Sequence, residues 1–154
     1  MARYFFDSSG IVKRYISETG TAWIQSLCLP SRGNVVYAAH VTGAQAVAAI
    51  MRRMRRGEIS STDAAAAIAS LQSHLRQGYS PVFITEGLVQ RAMSLVQAHR
   101  LRGYDAIHLA AALEIAAELA ALGFPSPIFV AADNDLNAAA TAEGLVVDNP
   151  NAHP

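Results

Sequence analysis

The feature that most constrains this chain is a set of short apolar runs without polar alternation, each bordered by helix-starting residues. They are Arg3-Tyr4-Phe5-Phe6, Asn34-Val35-Val36-Tyr37-Ala38, Pro81-Val82-Phe83-Ile84, Ile128-Phe129-Val130-Ala131-Ala132 and Leu145-Val146-Val147. A strand lacking alternation is buried on both faces, and strands separated by helices need right-handed crossovers. The pattern therefore predicts an α/β fold, a three-layer α/β/α sandwich on a parallel five-stranded sheet.

The intervening segments read as helices. One is expected near Ser9 to Tyr15 and another after Gly20. Thr42 can cap a helix whose positions Ala46, Val47, Ala49, Ile50 and Met54 keep helical spacing until Gly57 stops it. Ser60-Ser61-Thr62-Asp63 opens a partner helix through Leu71 and Leu75, so Thr42 to Gln77 forms a helical hairpin added to the basic fold. Thr85 and Asp105 each start a helix, with no strand between the two, and Asp133 starts a shorter one to Glu143.

At 154 residues, 52% hydrophobic and 16% charged, the chain suits one well-packed domain, placed at 1–148 with a loose C-terminal tail at 149–154. Twelve basic residues balance twelve acidic ones, so any nucleic-acid partner must be met by a local patch and not by a global field. The basic set is Lys13 plus arginines, side chains that fork onto phosphate or carboxylate. Cys28 is the single cysteine, which excludes an internal disulfide and makes a reducing cytoplasm the expected location. No secretory segment precedes Asp7, and Glu114 and Glu118 interrupt the apolar stretch Leu109 to Leu122, so no membrane association is expected.

Asp7, Asp105 and Asp133 each stand where an apolar stretch meets a helix start. Aspartate is a favoured N-cap, which alone accounts for such placement. Capping engages one oxygen, however, and a carboxylate at a strand's C-terminal end faces the crevice where α/β sheets bind ligands. Acids converging there repel one another unless a cation neutralises them. Asp135 follows Asp133 at a spacing that makes it a candidate further ligand.

Three segments resemble the motifs of PIN-domain ribonucleases of the VapC toxin type. Phe6-Asp7-Ser8-Ser9-Gly10-Ile11-Val12-Lys13-Arg14-Tyr15 is similar to the opening motif, Leu101-Arg102-Gly103-Tyr104-Asp105-Ala106-Ile107-His108-Leu109-Ala110 to the central one, and Phe129-Val130-Ala131-Ala132-Asp133-Asn134-Asp135-Leu136 to the last. The resemblance implies a PIN-like parallel sheet, an acidic pocket for Mg²⁺ or Mn²⁺, endonucleolytic cleavage of RNA, a homodimer and a cognate antitoxin protein. Family members usually carry a glutamate where this chain has Gln45, and an amide oxygen brings no negative charge, so weaker metal affinity is expected.

If the pocket is catalytic, Asp7, Asp105 and Asp133 hold one or two cations that orient water and stabilise charge on the phosphate. Ser9 and Gln45 are candidate supporting residues. Lys13 and Arg14, the cluster Arg52, Arg55 and Arg56, and Arg102 with Arg100 are candidate contacts to RNA or to an acidic partner, although arginines at a helix C-terminus also suit its dipole. His108, flanked by Ile107 and Leu109, reads as a structural histidine outside the metal set. The chain has no glycine-rich phosphate loop, no late lysine as a phosphoacceptor receiver needs, and Ser9 where a haloacid-type phosphatase needs a second acid. Two readings remain: a metal-dependent ribonuclease, or a catalytically silent PIN-like domain that binds RNA or protein through the same groove.

Overall fold

A computed structural model describes all 154 residues. Strands β1 (Arg3–Phe6), β2 (Val35–Ala39), β3 (Ser80–Val82), β4 (Ile128–Val130) and β5 (Val147–Asp148) form one five-stranded sheet in the order β3-β2-β1-β4-β5. Every neighbouring pair is parallel. The helices are α1 (Ser8–Val12), α2 (Thr21–Leu27), α3 (Thr42–Arg55), α4 (Ser61–Gln77), α5 (Glu86–Ala98), α6 (Gly103–Ala121) and α7 (Asn134–Ala142).

The central strand β1 shows why the sheet is covered on both sides. Phe5 is fully buried in a core shared with α5, α6 and α7, while Phe6, pointing to the other face, is fully buried in a second core with α1 to α4. Phe5 stacks on Phe129 of the adjacent strand with ring centroids 5.8 Å apart. Each such buried ring contributes roughly 1.5–3 kcal/mol by leaving water. The expected three-layer fold is thus present, and α3 with α4 supplies the helical hairpin.

Local chemistry sets the element ends. Ser60 and Thr85 cap α4 and α5 by accepting hydrogen bonds from Asp63 and Leu88 backbone N–H groups at 3.0 and 3.1 Å. Gly10 lets α1 approach the sheet: a Cβ there would stand 3.0 Å from the carbonyl oxygen of Val130 on β4. No helix is long and apolar enough to cross a membrane.

Several boundaries differ from the sequence expectation. Thr42, expected to cap α3, is its first helical residue, and the N-cap is Val41 with no side-chain hydrogen bond. The α6 helix begins at Gly103 with Arg102 as its N-cap, so Asp105 lies in the first turn and does not cap the helix. The outer strands are shifted: β3 ends before the exposed Phe83, and β5 starts after the core residue Leu145. An edge strand has one ladder partner, so its limits follow that partner and not its own hydrophobicity. Finally, the tail expected to be loose is packed. Pro150–Ala152 forms a 3₁₀ turn, Pro150 is buried against Gly20, and His153 stacks on Trp23 with ring centroids 4.0 Å apart.

Candidate active site

The two central strands run out side by side. From β1 the chain passes directly to Asp7, and from β4 it passes through Ala131 and Ala132 to Asp133. The connections from these strands build the sheet in opposite directions, and such a switch point opens a crevice at the strands' C-terminal ends.

Asp7 is 3% exposed and caps α1. Its Oδ1 accepts from the backbone N–H of Gly10 at 2.8 Å and from the hydroxyl of Ser9 at 2.6 Å. The same Ser9 oxygen accepts from the Ala132 N–H at 2.9 Å, so Ser9 ties the ends of β1 and β4 together. Burial raises the Asp7 carboxyl from 3.8 to about 6, opposed by the bonds from Ser9 and Gly10 and reinforced by the charges of Asp105 and Asp133. The acids of three distant motifs therefore share one electrostatic environment.

Asp133 caps α7, its Oδ1 accepting from the Leu136 N–H at 2.8 Å. Its Oδ2 lies 3.7 Å from Nη2 of Arg102, whose Nε donates to Oδ2 of Asp105 at 3.1 Å. One guanidinium thus spans two carboxylates. Arg102 is held above its ordinary pKa first by the hydrogen bond it donates to Asp105 and then by the charges of Asp105 and Asp133.

The pocket's donor chemistry matches a hard divalent cation, because its ligand atoms are carboxylate oxygens and capping occupies only Oδ1 of Asp7 and of Asp133. No three acid, histidine or cysteine side chains are spaced to grip an ion together in this arrangement. Arg102 supplies the positive charge that relieves the repulsion. Asp135, proposed from the sequence as a further ligand, does not join the group. It is exposed in the first turn of α7, and two residues along a helix rotate a side chain by roughly 200° from the capping direction of Asp133.

A cavity of about 810 Å³ opens over this point, lined by Ser9, Gln45, Asp105 and Arg102 on one side and by Arg52, Arg53 and Arg56 on another. Of the three aspartates Asp105 lines it directly, together with these arginines, and such a lining suits a polyanion held beside a cation. Arg55 lies outside the cavity, as does the exposed Arg100. The sequence grouped Arg52, Arg53, Arg55 and Arg56 and chose Arg52, Arg55 and Arg56 as the shared face, but the structure puts Arg53 at the cavity, paired with Glu18.

Two further expectations are corrected. Lys13 is buried, donating to the Thr19 carbonyl at 2.8 Å and pairing with Glu18 at 3.1 Å, which removes it as a free phosphate contact. Arg14 turns into a different cavity, where it donates to the Tyr79 hydroxyl at 3.0 Å beside His74 and Tyr15. Helix α1 ends at Val12, and the turn after it sends Arg14 to the other cavity, while Lys13 stays at the lining of the first, held on Glu18. Glu18 carried no sequence signal because it sits in a loop, whereas His108 had one, lying a helical turn from Asp105. Gln45 lines the cavity and its Oε1 is 2.5 Å from Nε2 of His108, which is 1% exposed.

The fold and crevice define a doubly wound α/β domain with acids at its switch point and arginines facing them. No protein-family model matches the sequence. Ribonuclease VapC45 of Mycobacterium tuberculosis (strain CDC 1551 / Oshkosh) and ribonuclease VapC49 of Mycobacterium tuberculosis (strain ATCC 25618 / H37Rv) are each 31% identical over 150 residues, covering 96% of this chain and 95% of theirs. With that identity over nearly full length, the chain belongs to the VapC ribonuclease family, the PIN-domain toxins of toxin–antitoxin pairs. Solved structures agree in fold. VapC20 of Mycobacterium tuberculosis, described as a sarcin–ricin loop cleaving toxin, matches with a TM-score of 0.61 over 98% of this chain and 99% of that one at 19% identity. VapBC2 from Rickettsia felis, bound to a promoter DNA fragment, matches with a TM-score of 0.61 over 96% and 98% at 10% identity.

Proposed function

We propose that this protein is a divalent-metal-dependent endoribonuclease that hydrolyses RNA phosphodiesters at the pocket of Asp7, Asp105 and Asp133. What supports the reading is that Arg102 bridges Asp105 and Asp133, that both charges act on Asp7, and that Asp105 lines a cavity with Arg52, Arg53 and Arg56, in a chain of the VapC family. Asp7, Asp105 and Asp133 would hold Mg²⁺ or Mn²⁺. A cation so bound supplies Lewis acidity to the phosphate and acidifies water.

The chain's own residues divide the remaining work. Ser9 fixes the Asp7 carboxylate between the two strand ends. Arg52 and Arg56 bind backbone phosphates flanking the reacting one, and Arg102 exchanges its carboxylate contacts for substrate when the pocket fills. Cleavage of RNA by purified protein in Mn²⁺ or Mg²⁺, abolished by Asp7→Asn and by excess chelator, is the expected outcome. Equal cleavage by the Asp7→Asn protein would refute it.

A catalytically silent, groove-binding domain is the competing reading, and Gln45 favours it, since the pocket lacks a charge there. Family membership also supports a cognate antitoxin as protein partner. We infer a homodimer from the exposed apolar face of α5 and the start of α6, where Val89, Met93, Val96 and Tyr104 lie uncovered.

A further inference from the structure

Gln45 and His108 form a pair across α3 and α6 whose hydrogen-bond direction can be worked out. Nε2 of His108 faces Oε1 of Gln45 at 2.5 Å, while Nδ1 of His108 is buried with no partner. Burial pulls the imidazole down to about 4, so the ring is neutral at ordinary pH and carries a single N–H.

If that proton sat on Nδ1, a buried donor would have no acceptor. With it on Nε2, only a lone pair is left unpartnered. Orphaned buried N–H groups are the rarer and costlier case. Nε2–H therefore donates, and Oε1 of Gln45 accepts. The amide oxygen is thereby engaged on the protein side, and the NH₂ group, on the other side of the amide carbon, has no protein acceptor and is not among the buried unpaired atoms. Since Gln45 lines the cavity with Asp105 and Arg52, its two N–H donors open into that space.

We infer that Gln45 is a phosphate contact and not a cation ligand: His108 holds its oxygen so that the amide N–H groups donate to a non-bridging oxygen of the RNA backbone. The inference rests on the ribonuclease reading for the identity of the anion. His108 is a positioning residue, acting only through Gln45. A position that could have added a negative ligand instead adds to the arginine wall, which makes the cavity more receptive to a polyanion and leaves the cation to the aspartates.

Three measurements test this. Long-range ¹H–¹⁵N spectra of the metal-free protein are expected to give the Nε2–H tautomer for His108; the Nδ1–H tautomer overturns the inference without any substitution. Calorimetric titration with Mn²⁺ is expected to give the same Kd for the unsubstituted protein and Gln45→Ala. Binding of a fluorescent single-stranded oligoribonucleotide in chelator is expected to weaken about 10-fold in Gln45→Ala, the loss of one hydrogen bond to a charged group. His108→Leu should match that loss, adding nothing when combined with Gln45→Ala, and His108→Gln, which keeps a donor near the Nε2 position, should restore affinity. Weaker Mn²⁺ binding in Gln45→Ala with unchanged RNA affinity would overturn the inference alone, leaving the ribonuclease reading intact. An unsubstituted protein that binds Mn²⁺ but no RNA would remove that reading, and the phosphate contact with it.

Discussion

Single residues carry opposing costs in this pocket. Asp7 has a folded pKa of about 6 against 3.8, so folding favours its neutral form; that contribution is present at low pH and is lost as pH rises through the interval. His108 lies at about 4 against 6.5, so its contribution is present above 6.5 and is lost as pH falls. Each is on the order of 3 kcal/mol and the two nearly cancel. Metal-free protein should therefore hold an almost flat stability between these limits. Asp7→Asn keeps a capping side chain but removes the acid, and should lose stability steeply on acidification while gaining it above neutrality. Denaturant melts across that range check this; parallel curves for the two proteins would count against it. A second outcome concerns charge at the neighbouring position: Gln45→Glu adds a carboxylate to the cavity and should tighten Mn²⁺ binding about 10-fold by calorimetry, as another anionic ligand does. The three aspartates were legible at this scale because each stands where an apolar run meets a helix start, Ser9 came with the first of them, and Gln45 was legible only through the family resemblance. The fates of Lys13, Arg14 and Asp135 were not, since side-chain direction depends on where a helix ends and what packs beside it.

Between elements, the start of α6 matters most. The sequence placed Asp105 at the helix cap, but Arg102 occupies that position and Asp105 lies in the first turn, where the helix dipole stabilises an anion. The cap residue's own guanidinium then reaches back over Asp105 to Asp133. It competes with any cation for those oxygens, and because its side chain is 82% exposed the pairing is weak. Arg102→Ala is expected to tighten Mn²⁺ affinity by a few-fold and to weaken binding of single-stranded RNA in chelator. Unchanged values in both titrations would show that the guanidinium serves neither. The hydrophobic periodicity found α4 and α5 closely, because capping residues and buried stripes agree there, and found α3 by its stripe alone, since Val41 and not Thr42 is its N-cap. It misjudged β3 and β5, where the ladder partner sets the limits.

For the whole molecule, the two cores on either side of β1 explain how so short a central strand orders the site: Phe5 and Phe6 anchor it to opposite layers, and Asp7 follows immediately. The packed C-terminal turn extends that frame by closing over Gly20 and Trp23. One apolar face remains uncovered, on α5 and the beginning of α6. Light scattering is expected to give a dimer mass at micromolar concentration, converted to monomer by Met93→Asp with little loss of fold, since Met93 is exposed in the monomer. A monomer at all concentrations would remove the dimer.

The sequence by itself determined the fold class, the order of its elements and the three acids, because strand runs, caps and helical periodicity are local and repeat the same instruction at each point. Only the tertiary structure decided that Arg102 lies between two of those acids, that Lys13 is buried on Glu18, and that Gln45 is turned by His108. Those pairings join residues across elements, and no local pattern encodes a contact whose geometry depends on how layers pack.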